Sequence, residues 1–298
     1  MKKQISRRTL LKNITGSAAF LSASMAIPSA ARAELLKEDF RDLKLKGNVN
    51  HSVCKWCYPK ISLDDLCKAV KDMGMSSIEL QGPEEWPTIK KYGLTCAMPW
   101  GAGKGITDGW NNPALHDELL ASFQDVIPKA ANAGLDKIIT FSGNRRGISD
   151  EQGLENCAKG LKRLMPIAEK YKVIVSMELL NSKVNHKDYQ CDHTKWGVEL
   201  AKMIGSERFK LLYDIYHMQI MEGDVIATIK EFHPYISHYH TGGVPGRGEI
   251  DDTQELYYPA IVKAILDTGY KGHIGQEFVP KRPDVLASLS QSVKICDI

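Results

Sequence analysis

The chain has 298 residues, of which 43% are hydrophobic and 25% are charged, a balance that excludes disordered chains, collagens and small disulfide scaffolds. The formal net charge is +3, but residues 1–33 carry six basic and no acidic residues. Without them 33 basic residues face 36 acidic ones, so no basic excess remains to neutralise phosphates, and a nucleic-acid partner is not expected.

Residues 1–33 show the three parts of a twin-arginine export signal. Arg7-Arg8 precedes an uncharged stretch that ends in the small-x-small cleavage site Ala31-Arg32-Ala33. An uncleaved anchor is the alternative, but the Ser, Thr and Gly residues of the stretch make it too polar for a stable membrane span. We therefore predict a cleaved signal over 1–33, an exported, periplasmic protein of 265 residues, and no stable membrane anchor after cleavage.

After residue 45, short apolar runs alternate with longer amphipathic ones, which predicts βα units. The predicted strands are Asn48–Cys54, Ser77–Leu80, Thr95–Met98, Lys137–Phe141, Val173–Met177, Lys210–Tyr213, Ile236–His240 and His273–Gln276. The predicted helices are Leu63–Met73, Pro87–Lys91, Leu115–Ala133, Glu155–Tyr171, Thr194–Ile204, Asp224–Phe232, Pro259–Thr268 and Arg282–Val293. Ser62 and Asp192 are predicted N-caps, and Gly205 is a predicted helix end.

Eight βα units in 265 residues are typical of a (β/α)8 TIM barrel, an α/β fold. The rival is a doubly wound open sheet, but the loop after Cys54 lacks the G-x-G-x-x-G pattern. No linker divides the chain. We predict one barrel domain over 34–298.

Ligand-type side chains follow the last four predicted strands. They are Glu178, Asp214, His240 and Glu277. The carboxyl ends of the strands form the active face of such barrels, so these side chains are expected to meet there. Three carboxylates and one imidazole suit Mn²⁺ or Mg²⁺, with Co²⁺ and Zn²⁺ as alternatives. The pattern predicts a divalent metal site.

Two further residues are predicted to handle substrate. His217 lies three residues after Asp214, and Arg247 follows the turn Val244-Pro245-Gly246. The alternative for Arg247 is an exposed loop arginine. His238 shares the strand parity of His240 and is expected to support the site rather than to bind the metal. Spacing alone does not decide whether four other side chains face the cavity: His51, Trp56, Glu79 and Trp100.

Seven cysteines lie after residue 33, and an odd number cannot all form pairs. Cys54-Lys55-Trp56-Cys57 has the spacing of a redox motif. A catalytic pair of this kind should open a helix that lowers the thiol pKa, whereas Cys54 ends a predicted strand. No second CxxC completes a zinc site. The pattern therefore favours ordinary cysteines.

Four segments resemble one known family. They are Glu178-Leu179-Leu180-Asn181, Tyr213-Asp214-Ile215-Tyr216-His217-Met218-Gln219, Pro245-Gly246-Arg247 after His240, and Gly275-Gln276-Glu277. They resemble the hydroxypyruvate isomerase branch of the xylose isomerase-like TIM barrels, which also contain sugar 3-epimerases. The resemblance implies that Glu178, Asp214, His240 and Glu277 bind the metal and that Glu178 and Glu277 exchange the substrate proton. Hydroxypyruvate isomerases generally carry Gln at the position of His240. A histidine at this position is similar to the epimerases.

The predicted chemistry is proton transfer beside a carbonyl through a cis-enediolate. The metal supplies the charge that makes the C–H acidic enough, and Glu178 and Glu277 remove and return the proton. The predicted activity is isomerisation or epimerisation of a small hydroxy-carbonyl acid or unphosphorylated sugar. The alternatives are a lyase or dehydratase on keto-sugars at the same metal site and a non-catalytic sugar-binding barrel. Pairing into a homo-oligomer is left open.

Overall fold

The computed structural model describes residues 43–298, and within them seven parallel strands form one sheet. The strands are β1 (Asn50–Cys54), β2 (Ser77–Glu79), β3 (Lys137–Thr140), β4 (Ile174–Glu178), β5 (Phe209–Asp214), β6 (Ile236–Thr241) and β7 (His273–Gln276). Their order in the sheet is β2-β1-β7-β6-β5-β4-β3. The export signal and its cleavage site lie outside the described residues, so export stays a prediction.

The segment from Thr95 to Pro99 lies between the two edge strands and completes the barrel. Ile78 N donates to Thr95 O at 3.0 Å on the β2 side, and Ile139 N donates to Pro99 O at 3.0 Å on the β3 side. Thr95–Met98 was predicted as a strand, but the segment forms only an isolated bridge between Thr95 and Ser77. The ladder is interrupted because Ala97 N bonds the hydroxyl of Ser77 instead of a carbonyl.

Helices follow the strands, as a TIM barrel requires. They are α1 (Leu63–Asp72), α2 (Trp86–Lys91), α3 (His116–Asn132), α4 (Asp150–Tyr171), α5 (Thr194–Ile204), α6 (Ile215–Met221), α7 (Val225–Phe232), α8 (Tyr258–Asp267) and α9 (Val285–Cys296). Short 3-10 turns cover Lys55–Cys57, Pro113–Leu115 and His233–Tyr235. No helix in the described part of the chain is both long and apolar enough to cross a membrane.

The helix ends test the predicted caps. Ser62 caps α1, since its hydroxyl accepts from Asp65 N at 3.1 Å, and Gly205 ends α5 with a left-handed φ of 73°. The prediction for Asp192 was wrong. His193 precedes α5, and the Asp192 carboxylate instead binds Arg145 at 2.9 Å because that guanidinium reaches it from the loop before α4.

Helix α6 was not predicted, and it begins directly at the end of β5. The Asp214 side chain accepts from His217 N at 3.1 Å and so caps the helix. A bound N-cap fixes the chain direction at that point. Asp214 therefore ends the strand, starts the helix and faces the cavity with its second oxygen.

Strands β5 and β6 are paired with a shift of one residue. Leu211 lies opposite Ile236 and Leu212 opposite His238, so Ser237 has no partner in the ladder. Its hydroxyl binds Leu211 O at 3.2 Å. Beyond this bulge Asp214 and His240 are directly opposite each other. Paired residues of parallel strands point to the same face, so both side chains enter the barrel.

Candidate metal centre and active site

The four side chains at the ends of β4 to β7 converge as predicted. Their ligand atoms all lie within 4.8 Å of one another. Glu178 and Asp214 end β4 and β5, His240 lies in β6, and Glu277 follows β7. All four are buried, with at most 4% of any residue exposed.

Two atoms of this group face each other without being hydrogen-bonded. His240 Nδ1 and Glu178 Oε1 are buried, and no contact of either atom with the described residues has the alignment of a hydrogen bond. His240 Nδ1 lies 3.5 Å from Glu178 Oε1 and 2.7 Å from Glu277 Oε2. Buried polar atoms are normally satisfied, so converging lone pairs of this kind fit a cation. The three carboxylates and one imidazole suit a divalent metal.

The carboxylates of this site have different proton affinities. Burial raises the pKa of Glu178, and the nearby charge of Glu277 adds to the effect. Burial also raises the pKa of Asp214 to about 8, against the attraction of Arg247. For Glu277 burial is outweighed by Arg247 and His240, which hold its pKa well below the usual range. Environments that separate two carboxyl pKa values in this way are used to assign acid and base roles.

Arg247 lies inside the site rather than on an exposed loop. Its Nη2 is 2.8 Å from Asp214 Oδ2 and 2.6 Å from Glu277 Oε2. The guanidinium carbon lies 5.3 Å from the ring centres of both Trp56 and Tyr216. A planar guanidinium between two rings is oriented and cannot turn freely. The structure therefore places Arg247 at the candidate metal centre, beside two of the predicted ligands.

His217 is buried next to Arg247. Its Nδ1 accepts a hydrogen bond from Asn181 N at 3.1 Å, and its Nε2 lies 3.0 Å from Arg247 Nη1. Burial lowers the pKa of His217 well below its usual value, and Arg247 adds to the shift. His217 is therefore neutral near pH 7. A neutral imidazole beside a guanidinium suits hydrogen bonding to a hydroxyl or carbonyl group.

Spacing alone did not decide whether His51, Trp56, Glu79 and Trp100 face the cavity. In the structure, two of them contact the predicted ligands. Trp56 Nε1 donates to Glu277 Oε1 at 2.7 Å, and Glu79 Oε2 lies 3.0 Å from His240 Nε2. Burial opposes the charge of Glu79, but His238 and His240 hold its pKa far below the usual range. The other two have different partners: His51 Nε2 lies 3.7 Å from Asp297 Oδ1, and Trp100 packs on Phe141.

Cys54 was missed as a neighbour of the site. Its Sγ lies 3.8 Å from His240 Nε2. Cys54 and Cys57 are both buried free cysteines, and burial raises the pKa of each thiol well above the usual value. Reactive cysteines have lowered pKa values. This environment agrees with the interpretation of the CxxC motif as ordinary cysteines.

Comparison with known proteins gives the same fold and family. The family model of the xylose isomerase-like TIM barrel matches residues 67–294. The chain is 35% identical over 235 residues to the 2-oxo-tetronate isomerase of Cupriavidus necator, which covers 74% of this chain and 87% of that protein. It is 30% identical over 190 residues to the hydroxypyruvate isomerase of Escherichia coli, covering 62% of this chain and 70% of that protein.

Solved structures of low sequence identity share the architecture. A D-psicose 3-epimerase from Clostridium cellulolyticum, solved with D-tagatose, superposes with a TM-score of 0.67 at 17% identity, over 84% of this chain and all of that chain. The IOLI protein, solved with a bound zinc atom, gives 0.63 at 14% identity, over 83% of this chain and 95% of that chain. These confirm the barrel. With the family model spanning most of its length, the chain belongs to the xylose isomerase-like TIM barrel family.

Proposed function

We propose that this protein is a divalent-metal-dependent isomerase or epimerase of a small hydroxy-carbonyl acid or unphosphorylated sugar. The observation that carries the proposal is the convergence of Glu178, Asp214, His240 and Glu277 within 4.8 Å at the active face of the barrel. The names of the two relatives support the reaction class, since both are isomerases.

The four converging residues are proposed to hold the cation. When bound, it supplies the positive charge that polarises a substrate carbonyl. The site offers mostly hard oxygen donors, which favours Mn²⁺ or Mg²⁺. The imidazole of His240 makes Co²⁺ and Zn²⁺ acceptable as well, and a related structure holds zinc.

Glu178 and Glu277 are proposed to move the proton. They reach the centre from β4 and from the end of β7, which lie on either side of β5 and β6 in the sheet. The raised pKa of Glu178 suits a group that takes up a proton, and the low pKa of Glu277 keeps that carboxylate ionised. Trp56 donates to Glu277 and so fixes its orientation.

Arg247 and His217 are proposed to bind the substrate. Arg247 offers a positive charge with 13% of its side chain exposed, which suits the binding of a substrate carboxylate. His217 is neutral and can bond an adjacent hydroxyl. Together, the two residues suit a substrate that has a carboxylate next to a hydroxy-carbonyl group.

The test is proton exchange followed by NMR in D₂O. Protein stripped of metal, and the same protein with Mn²⁺ or Mg²⁺ restored, is incubated with hydroxypyruvate, tetronates, ketoses and 3-keto-glucosides. Metal-dependent deuterium incorporation at one carbon supports the proposal and identifies the substrate class. A product that absorbs as an enone would instead indicate the lyase. Ligand binding without exchange in any compound would indicate a binding barrel.

A further inference from the structure

A buried carboxylate lies directly behind the proposed metal ligand His240. Glu79 comes from β2, and its Oε2 is 3.0 Å from His240 Nε2 and 2.8 Å from His238 Nε2. The three side chains are completely buried. An ionised carboxylate is costly to bury, so one that is retained inside a barrel needs partners that donate to it.

The hydrogen bond to Glu79 determines which nitrogen of His240 faces the proposed metal centre. A carboxylate only accepts hydrogen bonds, so the Nε2 of His240 carries a hydrogen and donates it. The other ring nitrogen, Nδ1, makes no aligned hydrogen bond and points at Glu178 and Glu277, at 3.5 Å and 2.7 Å. Ligating imidazoles are commonly fixed in this way by a carboxylate on the opposite nitrogen.

A second feature independently makes room for this pair. Gly275 lies opposite His240 in the ladder between β6 and β7. A Cβ atom at this position would lie 2.8 Å from Cδ2 of His240 and 3.1 Å from both carboxylate oxygens of Glu79. Real Cβ atoms do not tolerate the shorter distance. Glycine here keeps the space in which the imidazole and the carboxylate meet.

We propose that Glu79 is a positioning residue of the metal centre, which holds the His240 ring with Nδ1 directed at the other ligands, and that Gly275 provides the space for this contact. The inference rests on the proposed metal site. It assigns a metal-affinity role to two residues that belong to strands other than the one carrying the imidazole.

The same three groups also form a geometric cluster that could hold an ion of their own. Glu79, His238 and His240 each offer a ligand atom within 4.8 Å. The distances of 2.8 Å and 3.0 Å are those of direct hydrogen bonds between the groups, which leave no space between them for a cation. Metal stoichiometry separates the two interpretations, because the positioning role requires one ion per chain.

The experiment measures Co²⁺ binding to Glu79→Gln in the full protein. Both imidazoles bond the same oxygen, Oε2. A Gln oxygen in that place can still accept from both, but without the negative charge that makes these hydrogen bonds strong. We expect Co²⁺ affinity to fall about 10- to 100-fold and the visible absorption bands of the bound ion to change. In the zinc-loaded wild type, the ¹H–¹⁵N spectrum should show His240 protonated at Nε2, and this signal should shift in the variant.

Glu222→Gln is the matched control. Its carboxylate also accepts two hydrogen bonds, from Thr194 N at 2.8 Å and Thr194 Oγ1 at 2.6 Å, at the start of α5 and away from the ligands. This variant should bind Co²⁺ like the wild type. If Glu79→Gln fails to fold, Gly275→Ala tests the same contact without altering a polar group and should weaken Co²⁺ binding by the order of tenfold.

The outcomes distinguish the two proposals. A wild type that binds no divalent ion would overturn the proposed function. A wild type that binds one ion, with both Glu79→Gln and Gly275→Ala binding it within about twofold and with unchanged absorption bands, would overturn only the positioning role. Two ions per chain, the second lost in Glu79→Gln, would overturn it in favour of a second metal site.

Discussion

The two halves of the barrel contribute different things to the centre. Strands β4 to β7 provide all four proposed ligands, each at or near a strand end. Strand β1, the 3-10 turn that follows it and strand β2 provide groups that contact those ligands, namely Cys54, Trp56 and Glu79. In the proposed function, one half supplies charge for the cation and for proton transfer, and the other half orients the side chains that do so.

The largest effect is expected from the two carboxylates that are proposed to transfer the proton. Glu178→Gln or Glu277→Gln should reduce kcat about 1000-fold or more, because an amide cannot take up the proton. Turnover is measured with the substrate found by deuterium exchange, and circular dichroism checks the fold. Retention of more than about a tenth of the wild-type kcat in both variants would be incompatible with the mechanism.

Removal of the metal should lower both the activity and the stability of the protein. Stripped protein should be inactive, and restoring Mn²⁺ at about 100 times its Kd should raise the free energy of unfolding by about 2.7 kcal/mol. Thermal unfolding with and without metal measures this. An equal rise in His240→Ala would mean that the ion binds elsewhere.

Arg247→Gln should act mainly on substrate binding and, to a smaller extent, on the chemical step, because Arg247 also holds the pKa of Glu277 low. We expect KM to rise about 30-fold, the loss of roughly 2 kcal/mol of charge-assisted hydrogen bonding, with kcat within about fivefold of the wild type. Arg282→Gln is the control, since Arg282 pairs with Asp251 and does not contact the ligands. A loss of kcat larger than the change in KM would mean that Arg247 acts mainly in the chemical step.

Trp56→Phe tests the orienting half with a smaller change. The ring over Arg247 is kept, but the hydrogen bond from Nε1 to Glu277 is lost. We expect kcat to fall about tenfold, as for the loss of one bond to a charged group. Trp86→Phe removes a similar bond, to Gln81 O at 2.8 Å on α2, and should leave kcat unchanged. Equal rates in Trp56→Phe and the wild type would exclude an orienting role.

The smallest effect concerns the amino end of β7, away from the centre. Burial lowers the pKa of His273 to about 4 from 6.5. Between pH 6.5 and pH 4, His273 is therefore protonated in the unfolded chain but neutral in the folded protein. The contribution of His273 to the free energy of unfolding is fully present above pH 6.5 and is lost as the pH falls towards 4. With screening allowed for, the free energy of unfolding should fall about 1 kcal/mol more in the wild type than in His273→Gln. Denaturant titrations at pH 7 and pH 4 measure it; parallel curves would contradict the assignment.

The ligand half was predictable because its signal is local. Glu178, Asp214 and Glu277 each stand where an apolar run stops, and the barrel rule brings such positions together. The motifs around Asp214 and Arg247 indicated the family, which comparison confirmed. The eight-unit barrel was also recovered, although Thr95–Met98 forms only a bridge.

The orienting half was not predictable, because its contacts join distant parts of the chain. Glu79 and His240 are 161 positions apart, and no periodicity links them. Trp56 and Glu277 are separated by 221 positions. Helix α6 was missed for a different reason: Asp214 was interpreted as a ligand, and its side chain is also the N-cap.

The single-residue bulge at Ser237 limits how this centre can be transferred to other proteins. In an uninterrupted ladder Asp214 would lie opposite Tyr239, and an inward Asp214 would leave His240 facing the helices. Grafting the four side chains onto another barrel by matching strand ends alone would therefore separate two of them. A designer must copy the offset between β5 and β6 together with the residues, and an insertion or deletion within either strand should be as damaging as the loss of a ligand.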